Sequence, residues 1–207
     1  MLDAVLDKSA AARGLQLAAA RMLHAIGVSA NLATAAGVAS GVASGIAFAL
    51  GDVGTGLALL AISAVFDAID GTIAREFATP TMFGGVADLV CDRIVETAVI
   101  IGIVWRHPDL DFFALLLVAS WYVNITVFLA VGAALERRGP KIIDYPPGIL
   151  ERTEALIFFA ILALVESLGR FWWMGGTLCV AMTALEIATG VQRFAFGWRT
   201  IKGGTES

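Results

Sequence analysis

The composition of this chain excludes a water-soluble globular protein. Of its 207 residues, 58% are apolar and 15% are charged, whereas soluble domains are about 45–50% apolar and about 25% charged. Lipid is therefore the expected environment of most side chains, and the mean hydropathy of +0.83 agrees. The net charge of −4 gives no overall basic surface, so no nucleic-acid partner is expected.

Residues 1–26 combine scattered charges with apolar residues at helical spacing. Leu15, Ala19, Met22 and Ile26 recur on one face of a predicted helix. This pattern predicts an interfacial amphipathic helix along the membrane surface, and a helix packed beneath a bundle would give the same pattern. The scattered charges are not typical of a secretory signal.

The following segments are apolar on all faces, which is typical of membrane helices and not of barrel strands. We predict an all-α polytopic membrane protein with six transmembrane helices at about 31–50, 54–74, 83–104, 112–135, 153–168 and 171–191. Residues 1–207 would form a single membrane-embedded domain. Within it, 31–191 would be the six-helix bundle and 192–207 a cytoplasmic tail.

The positions of the basic residues predict the orientation in the membrane. Eleven Lys and Arg residues lie in the tails and in one set of connections, whereas Arg106 and Arg170 lie in the other set. The positive-inside rule then places both termini in the cytoplasm. We expect a multi-pass protein of the cell inner membrane.

The first predicted span carries a stripe of small residues. Gly37, Gly41 and Gly45 recur at intervals of four, which lets another helix approach closely. Either an internal helix contact or a homodimer would use such a face.

Four aspartates cluster within 26 residues of the second and third spans. Asp67 and Asp70 are three residues apart, and Asp88 and Asp92 are four apart, so each pair lies on one helix face. The connection between the two spans is cytoplasmic by the charge distribution. Both acidic faces therefore lie at a similar depth and are expected to converge.

Carboxylates converging in a low-dielectric environment repel one another unless a cation neutralises them. Oxygen ligands favour Mg²⁺, Mn²⁺ or Ca²⁺ over zinc or copper, and four carboxylates balance two divalent ions, with Mg²⁺ or Mn²⁺ expected here. Two such ions form the clamp used for displacement at phosphorus. The alternative is that the aspartates only pair with Arg75, Arg93 and backbone donors.

The spacing of this region reads Asp67-x2-Asp70-Gly71-x2-Ala74-Arg75-x8-Gly84-x3-Asp88-x3-Asp92. It resembles the signature of the CDP-alcohol phosphotransferase family, and the six-span layout resembles the family across nearly the whole chain. The family transfers a phosphoalcohol from a CDP-linked lipid, such as CDP-diacylglycerol, to an acceptor hydroxyl and releases CMP. The expected function is therefore a phosphatidyltransferase of phospholipid synthesis, into whose cytoplasm-facing site membrane lipid enters from the inner leaflet.

The resemblance also implies roles for individual residues. Asp67, Asp70 and Asp88 would bind the metals, and Asp92 would complete the second metal site and accept the hydroxyl proton as the catalytic base. The residues implied to contact the CDP moiety are Asn31, Thr34, Gly71, Arg75 and Thr81. The proline that usually precedes the asparagine is Ala30 here, and helix capping is the alternative role of this segment.

The acceptor is expected to be a small polar alcohol. Arg152 and Arg193 would suit a phosphorylated one, and the alternative is that both act as topology signals at helix ends. The inositol-phosphate branch of the family carries basic residues at the end of the fourth span, where 129–135 is uncharged here, and an Arg where this chain has Ala155. These two differences argue against an inositol phosphate acceptor, whereas glycerol 3-phosphate, another polar alcohol and an unphosphorylated alcohol stay open.

Two other functions remain open at this point. A divalent-cation transporter would use intramembrane acids, although the four aspartates lie at one depth and not along a path. An assembly protein without catalysis would use the glycine stripe. Glu96, Glu166 and Glu186 are assigned no catalysis, with Arg93, Arg170 or hydroxyl groups as expected partners.

Overall fold

The computed structural model describes residues 10–78, 81–136, 152–169 and 173–203. These residues are helical and contain no strand, which confirms the all-α prediction. The helices are α1 (Ala10–Ala25), α2 (Ala30–Ala49), α3 (Val53–Phe77), α4 (Met82–Arg106), α5 (Asp111–Glu136), α6 (Arg152–Leu168) and α7 (Met174–Gly203), with a 3₁₀ turn at Pro108–Leu110.

Local capping defines where the first helices begin. Ser29 and Asp52 accept hydrogen bonds from the backbone N–H groups of Leu32 and Thr55, at the N-termini of α2 and α3. Hydrogen bonding from Thr55 holds the pKa of the Asp52 carboxyl below its usual value. Gly51, with a φ of 83°, makes the left-handed turn between α2 and α3.

Four helical segments of the described chain are long and apolar enough to cross a membrane: Ala30–Ala49, Val53–Phe77, Pro108–Leu135 and Met174–Lys202. The other two predicted spans coincide with α4, which carries charged side chains within its length, and with α6, which has 17 residues. The six-crossing layout therefore stays a prediction. Helix α7 continues to Gly203, beyond the predicted end of the last span at 191.

The glycine stripe of α2 makes an internal helix contact. A Cβ added at Gly45 would lie 2.3 Å from the Ala98 carbonyl oxygen on α4, and one at Gly102 would lie 1.9 Å from the Gly45 carbonyl oxygen. On the α3 side, a Cβ at Gly37 would lie 3.3 Å from Phe66 Cβ. The packing interpretation of the stripe is confirmed, and it fixes α2 against the two helices that carry the aspartates.

Two apolar cores hold the remaining helices. The larger core joins α4, α5, α6 and α7 through side chains such as Val99, Leu117, Phe159 and Met182. The smaller core packs α1 on α3, where Ala20, Ile69 and Ile73 are buried. Leu15 and Met22 on α1, and Ile26 directly after it, are exposed apolar residues. Such residues suit a membrane interface, and the interfacial position of α1 stays a prediction.

Candidate metal centre and transferase site

Three of the four aspartates meet between α3 and α4. Asp67 and Asp70 on α3 and Asp88 on α4 each offer a carboxylate oxygen, and these oxygens lie within 4.8 Å of one another. Asp70 is buried with 6% exposure, Asp67 is half-buried and Asp88 is exposed. The helical spacing thus produces the expected convergence for these three residues.

This arrangement fits a divalent cation. Three carboxylates in one place supply only oxygen ligands and an excess of negative charge, which suits Mg²⁺ or Mn²⁺. Because the three oxygens lie within 4.8 Å of one another, carboxylates from both helices are close enough to approach one cation. The residues present therefore fit a divalent cation.

Asp92 lies one turn beyond Asp88 on α4 and is half-buried. It is not among the three carboxylates that share the 4.8 Å limit, but it is close enough to Asp88 and Asp70 for their charges to interact. The structure therefore places Asp92 next to the acidic group, one turn beyond Asp88 along α4.

The N-terminal part of α2 contributes a direct partner of the centre. The Thr34 hydroxyl donates a hydrogen bond to Asp70 Oδ2. Asn31 lies on the preceding turn and is exposed. The sequence predicts that both residues contact the nucleotide, and the structure adds a hydrogen bond between Thr34 and the carboxylate of Asp70.

Gly71 and Arg75 lie together at the end of α3 that carries the aspartates. A Cβ added at Gly71 would lie 3.1 Å from Arg75 Nη1, so the guanidinium lies over the glycine. The Arg75 charge also acts on Asp70 and Asp88. An exposed Arg above a glycine beside this acidic group has the donors that phosphate oxygens require.

Thr81 is the N-cap of α4, where its Oγ1 accepts a hydrogen bond of 2.9 Å from the Gly84 N–H. Its position is therefore set by helix capping, close to the α3–α4 connection. A capping hydroxyl keeps its own proton as a donor. Contact with CDP stays a prediction for this residue.

Arg152 and Arg193 are the two residues predicted to bind the acceptor alcohol. Arg152 is the first residue of α6, and its side chain lies outside the described residues. Arg193 on α7 donates from Nη1 to Asn124 Oδ1 on α5 at 3.0 Å, and its guanidinium lies 5.0 Å from the Phe128 ring centroid. Both of these contacts of Arg193 are with α5.

Sequence reasoning missed a buried polar network behind Arg193. Asn124 Nδ2 donates to Glu186 Oε2 on α7, and both residues are buried. On α4, Arg93 pairs with Glu96 at 2.8 Å, which confirms the partner expected for Glu96. Polar side chains inside apolar helices were the available signal, but contacts between α5 and α7 are not visible from local spacing.

Glu166 has a different neighbour from those expected. Its Oε2 lies 3.4 Å from His107 Nδ1, and Asp109 completes a second group of potential ligands near the opposite end of α4. The expected pairing with Arg170 lies outside the described residues.

Comparisons with known proteins decide the family. The family described as CDP-alcohol phosphatidyltransferase matches residues 27–192. The chain belongs to this family. An archaetidylinositol phosphate synthase of Methanothermobacter thermautotrophicus is 32% identical over 86% of this chain and 87% of its own length. A phosphatidylinositol phosphate synthase of Mycolicibacterium smegmatis is 32% identical over 70% of this chain and 64% of its own length.

Solved structures agree with the family. Phosphatidylinositol phosphate synthase of Mycobacterium tuberculosis with CDP-DAG bound is 26% identical, with a TM-score of 0.72 over 88% of this chain and 93% of that one. The same enzyme in complex with manganese and citrate gives a TM-score of 0.73 over 88% of each chain. The chain is therefore a membrane transferase of phospholipid synthesis, and the transporter and assembly-protein alternatives are set aside.

Proposed function

We propose that this CDP-alcohol phosphatidyltransferase moves a phosphatidyl group from CDP-diacylglycerol, or a similar CDP-lipid, to the hydroxyl of a small phosphorylated alcohol and releases CMP. The observation that carries the proposal is the group formed by Asp67, Asp70 and Asp88, whose oxygens lie within 4.8 Å of one another. Arg75, beside this group, supplies charge for the diphosphate.

The acidic side chains would have different roles in the reaction. Asp67, Asp70 and Asp88 would hold the first ion, and Asp92 would complete a second site and take the proton of the attacking hydroxyl. Bound divalent ions supply the neutralisation of charge that develops on the diphosphate and the departing CMP. Asp92 suits the role of base because it lies one turn beyond Asp88 along α4 and next to the ligands.

The nucleotide would bind where α2, α3 and the start of α4 meet. Gly71 leaves room at the backbone, and Arg75 above it offers paired donors to phosphate oxygens. Asn31 and Thr81 place polar groups at the same end of the bundle. Thr34 lies at that end too, where it is hydrogen-bonded to Asp70. These residues are the proposed CDP-binding set.

The phosphate of the acceptor would be held by Arg193, with Arg152 from the start of α6. The names of the relatives make inositol phosphate the first acceptor to test. Ala155, where the inositol-phosphate branch carries an Arg, is 3% exposed and packs in the larger core, so it leaves one phosphate ligand fewer. Glycerol 3-phosphate is therefore tested beside inositol phosphate.

We further propose that α4 and α6 cross the membrane with the four longer apolar segments, as parts of one domain over 1–207. The charged residues of α4 would face the bundle and not the lipid. The bias of the basic residues then puts both termini and the acidic centre on the cytoplasmic side of the inner membrane.

The decisive experiment uses purified protein in detergent with CDP-diacylglycerol, Mg²⁺ or Mn²⁺, and a panel of alcohols. The panel contains inositol 1-phosphate, glycerol 3-phosphate and the unphosphorylated form of each. We expect CMP release that depends on a phosphorylated acceptor and stops when the metal is chelated. Absence of acceptor-dependent CMP release with every member of the panel would overturn the proposal.

A further inference from the structure

We propose that Asn124 and Glu186 are positioning residues that hold Arg193 in the orientation needed to bind the phosphate of the acceptor. The inference rests on the proposed function, because it assumes that Arg193 meets that phosphate. It assigns a task to two buried polar residues that lie far from the aspartate signature in the sequence.

The hydrogen bonds form a relay from α7 to α5 and back. Glu186 accepts from Asn124 Nδ2, and Asn124 Oδ1 accepts from Arg193 Nη1 at 3.0 Å. A carboxylate only accepts and a guanidinium only donates, so the residue between them must offer one acceptor and one donor. The amide of Asn124 meets this requirement with one side chain.

Burying the polar side chains of this relay costs desolvation free energy, so packing alone does not explain their presence. Asn124 is 7% and Glu186 is 5% exposed. Replacing buried charged groups with apolar side chains of similar volume is often neutral or stabilising. A polar relay ending on an arginine at the acceptor side of the bundle therefore indicates a role in binding.

The relay is also balanced in charge. The Glu186 carboxylate interacts with the charges of Arg93 and Arg193, and Glu96 interacts with Arg93 and with Glu186. Helices α4 and α7 thus each contribute one glutamate and one arginine, and these side chains are close enough for their charges to interact. Because Arg93 follows Asp92 directly, this group connects the acceptor arginine to the helix that carries the proposed base.

The guanidinium of Arg193 is fixed from two directions. Asn124 holds one nitrogen, and the Phe128 ring, one turn further along α5, lies 5.0 Å from the guanidinium carbon. An arginine held in place before binding loses less side-chain entropy when it takes up a phosphate. Losing this restraint should weaken binding of the acceptor and leave binding of the CDP-lipid unchanged.

The test compares steady-state kinetics of Asn124→Leu with wild type. Leu has a similar volume and cannot relay the hydrogen bond. We expect KM for the phosphorylated acceptor that wild type uses to rise about ten-fold or more, the effect of losing a charge-assisted hydrogen bond. KM for CDP-diacylglycerol should stay within about two-fold.

Two further variants make the result specific. Glu186→Gln keeps an acceptor for Asn124 and removes the charge, and it should raise the same KM by a smaller factor. Ser120→Ala is the matched control, because Ser120 is also 7% exposed on α5 and its hydroxyl donates to Leu117 of the same helix. This control should keep both KM values.

The outcomes separate the two proposals. An active wild type with unchanged acceptor KM in Asn124→Leu and Glu186→Gln would overturn the positioning role alone, as would an equal rise of both KM values. If Asn124→Leu does not fold, Glu186→Gln decides by the same criterion. A wild type without acceptor-dependent CMP release would instead overturn the proposed function.

Discussion

Thr34 illustrates how a hydroxyl can support the proposed metal centre through a neighbouring carboxylate. It lies on α2, and its hydroxyl donates to Asp70 on α3. A hydrogen bond to a ligating carboxylate fixes the direction of the oxygens that face the ion. The sequence placed Thr34 near the nucleotide by resemblance, and the structure gives it this additional contact.

Thr34→Val should weaken metal binding. Valine has nearly the same shape but no donor, so Asp70 would lose its hydrogen bond to α2. We expect the Mn²⁺ concentration for half-maximal CMP release to rise about 10–100-fold. Ser40→Ala on the same helix is the control, since the Ser40 hydroxyl donates to Ala36 of α2. Equal Mn²⁺ dependence in Thr34→Val and wild type would contradict the role.

Asp92→Asn should remove the proposed base while the protein stays folded. The amide keeps the size of the side chain but cannot accept a proton, so kcat should fall about 10²–10⁴-fold. Thermal unfolding in detergent should change little. Asp52→Asn makes the same chemical change at a helix cap that asparagine serves equally well, and it should leave kcat unchanged. Normal turnover of Asp92→Asn would remove the residue from its role.

Single residues were predictable where their partners are near in sequence. Asp67 and Asp70 share a face by helical spacing, and the short α3–α4 connection brings Asp88 to them. The pair Asn124 and Glu186 was not predictable, because 62 residues separate them. Only the packing of α5 on α7 brings such residues together.

The helix contact between α2 and α4 depends on glycine on both sides. The spacing of Gly37, Gly41 and Gly45 predicted a close approach, but not that Gly102 faces it. Backbone meets backbone at this point, since a Cβ at Gly102 would lie 1.9 Å from the Gly45 carbonyl oxygen. A carbonyl within a helix cannot move aside as a flexible side chain can.

Gly102→Val should therefore separate α2 from α4. We expect a loss of about 3 kcal/mol or more in stability, the upper range for overpacked sites. Thermal unfolding in detergent and the yield of folded protein would measure it. Gly85→Ala on the same helix is the control, because a Cβ there meets nothing within 4 Å and alanine favours helix. Equal stability of Gly102→Val and wild type would contradict this packing.

Helices α4 and α6 show why apolarity alone does not identify every predicted span. Asp88, Asp92, Arg93 and Glu96 place four charged side chains within α4, two of them in the proposed site, and they lower the hydropathy of the helix. Helix α6 has 17 residues, about 25 Å of helix against a hydrocarbon core of about 30 Å. The helices themselves were predictable from apolar segments, whereas their ends were not, since α7 continues to Gly203.

Across the whole molecule, the acidic centre links metal binding to stability. Asp67 and Asp70 of α3 lie close to Asp88 of α4, and Thr34 of α2 is hydrogen-bonded to Asp70. Without a cation, three carboxylates in one place repel one another and oppose the packing of these helices. A bound divalent ion reverses this effect and binds the folded state alone.

Mn²⁺ should therefore raise the thermal stability of the wild-type protein in detergent, and chelation should lower it. At a concentration 100 times its Kd the ion contributes about 2.7 kcal/mol. Asp88→Asn should raise Tm in chelator by removing one repelling charge, and it should lose most of the increase caused by Mn²⁺. Asp109→Asn changes the second group of potential ligands, with His107 and Glu166, and should keep that increase. The prediction would be contradicted if Asp109→Asn lost the Mn²⁺-induced rise of Tm and Asp88→Asn kept it. The stabilising ion would then lie at the other end of α4, away from the proposed transfer site.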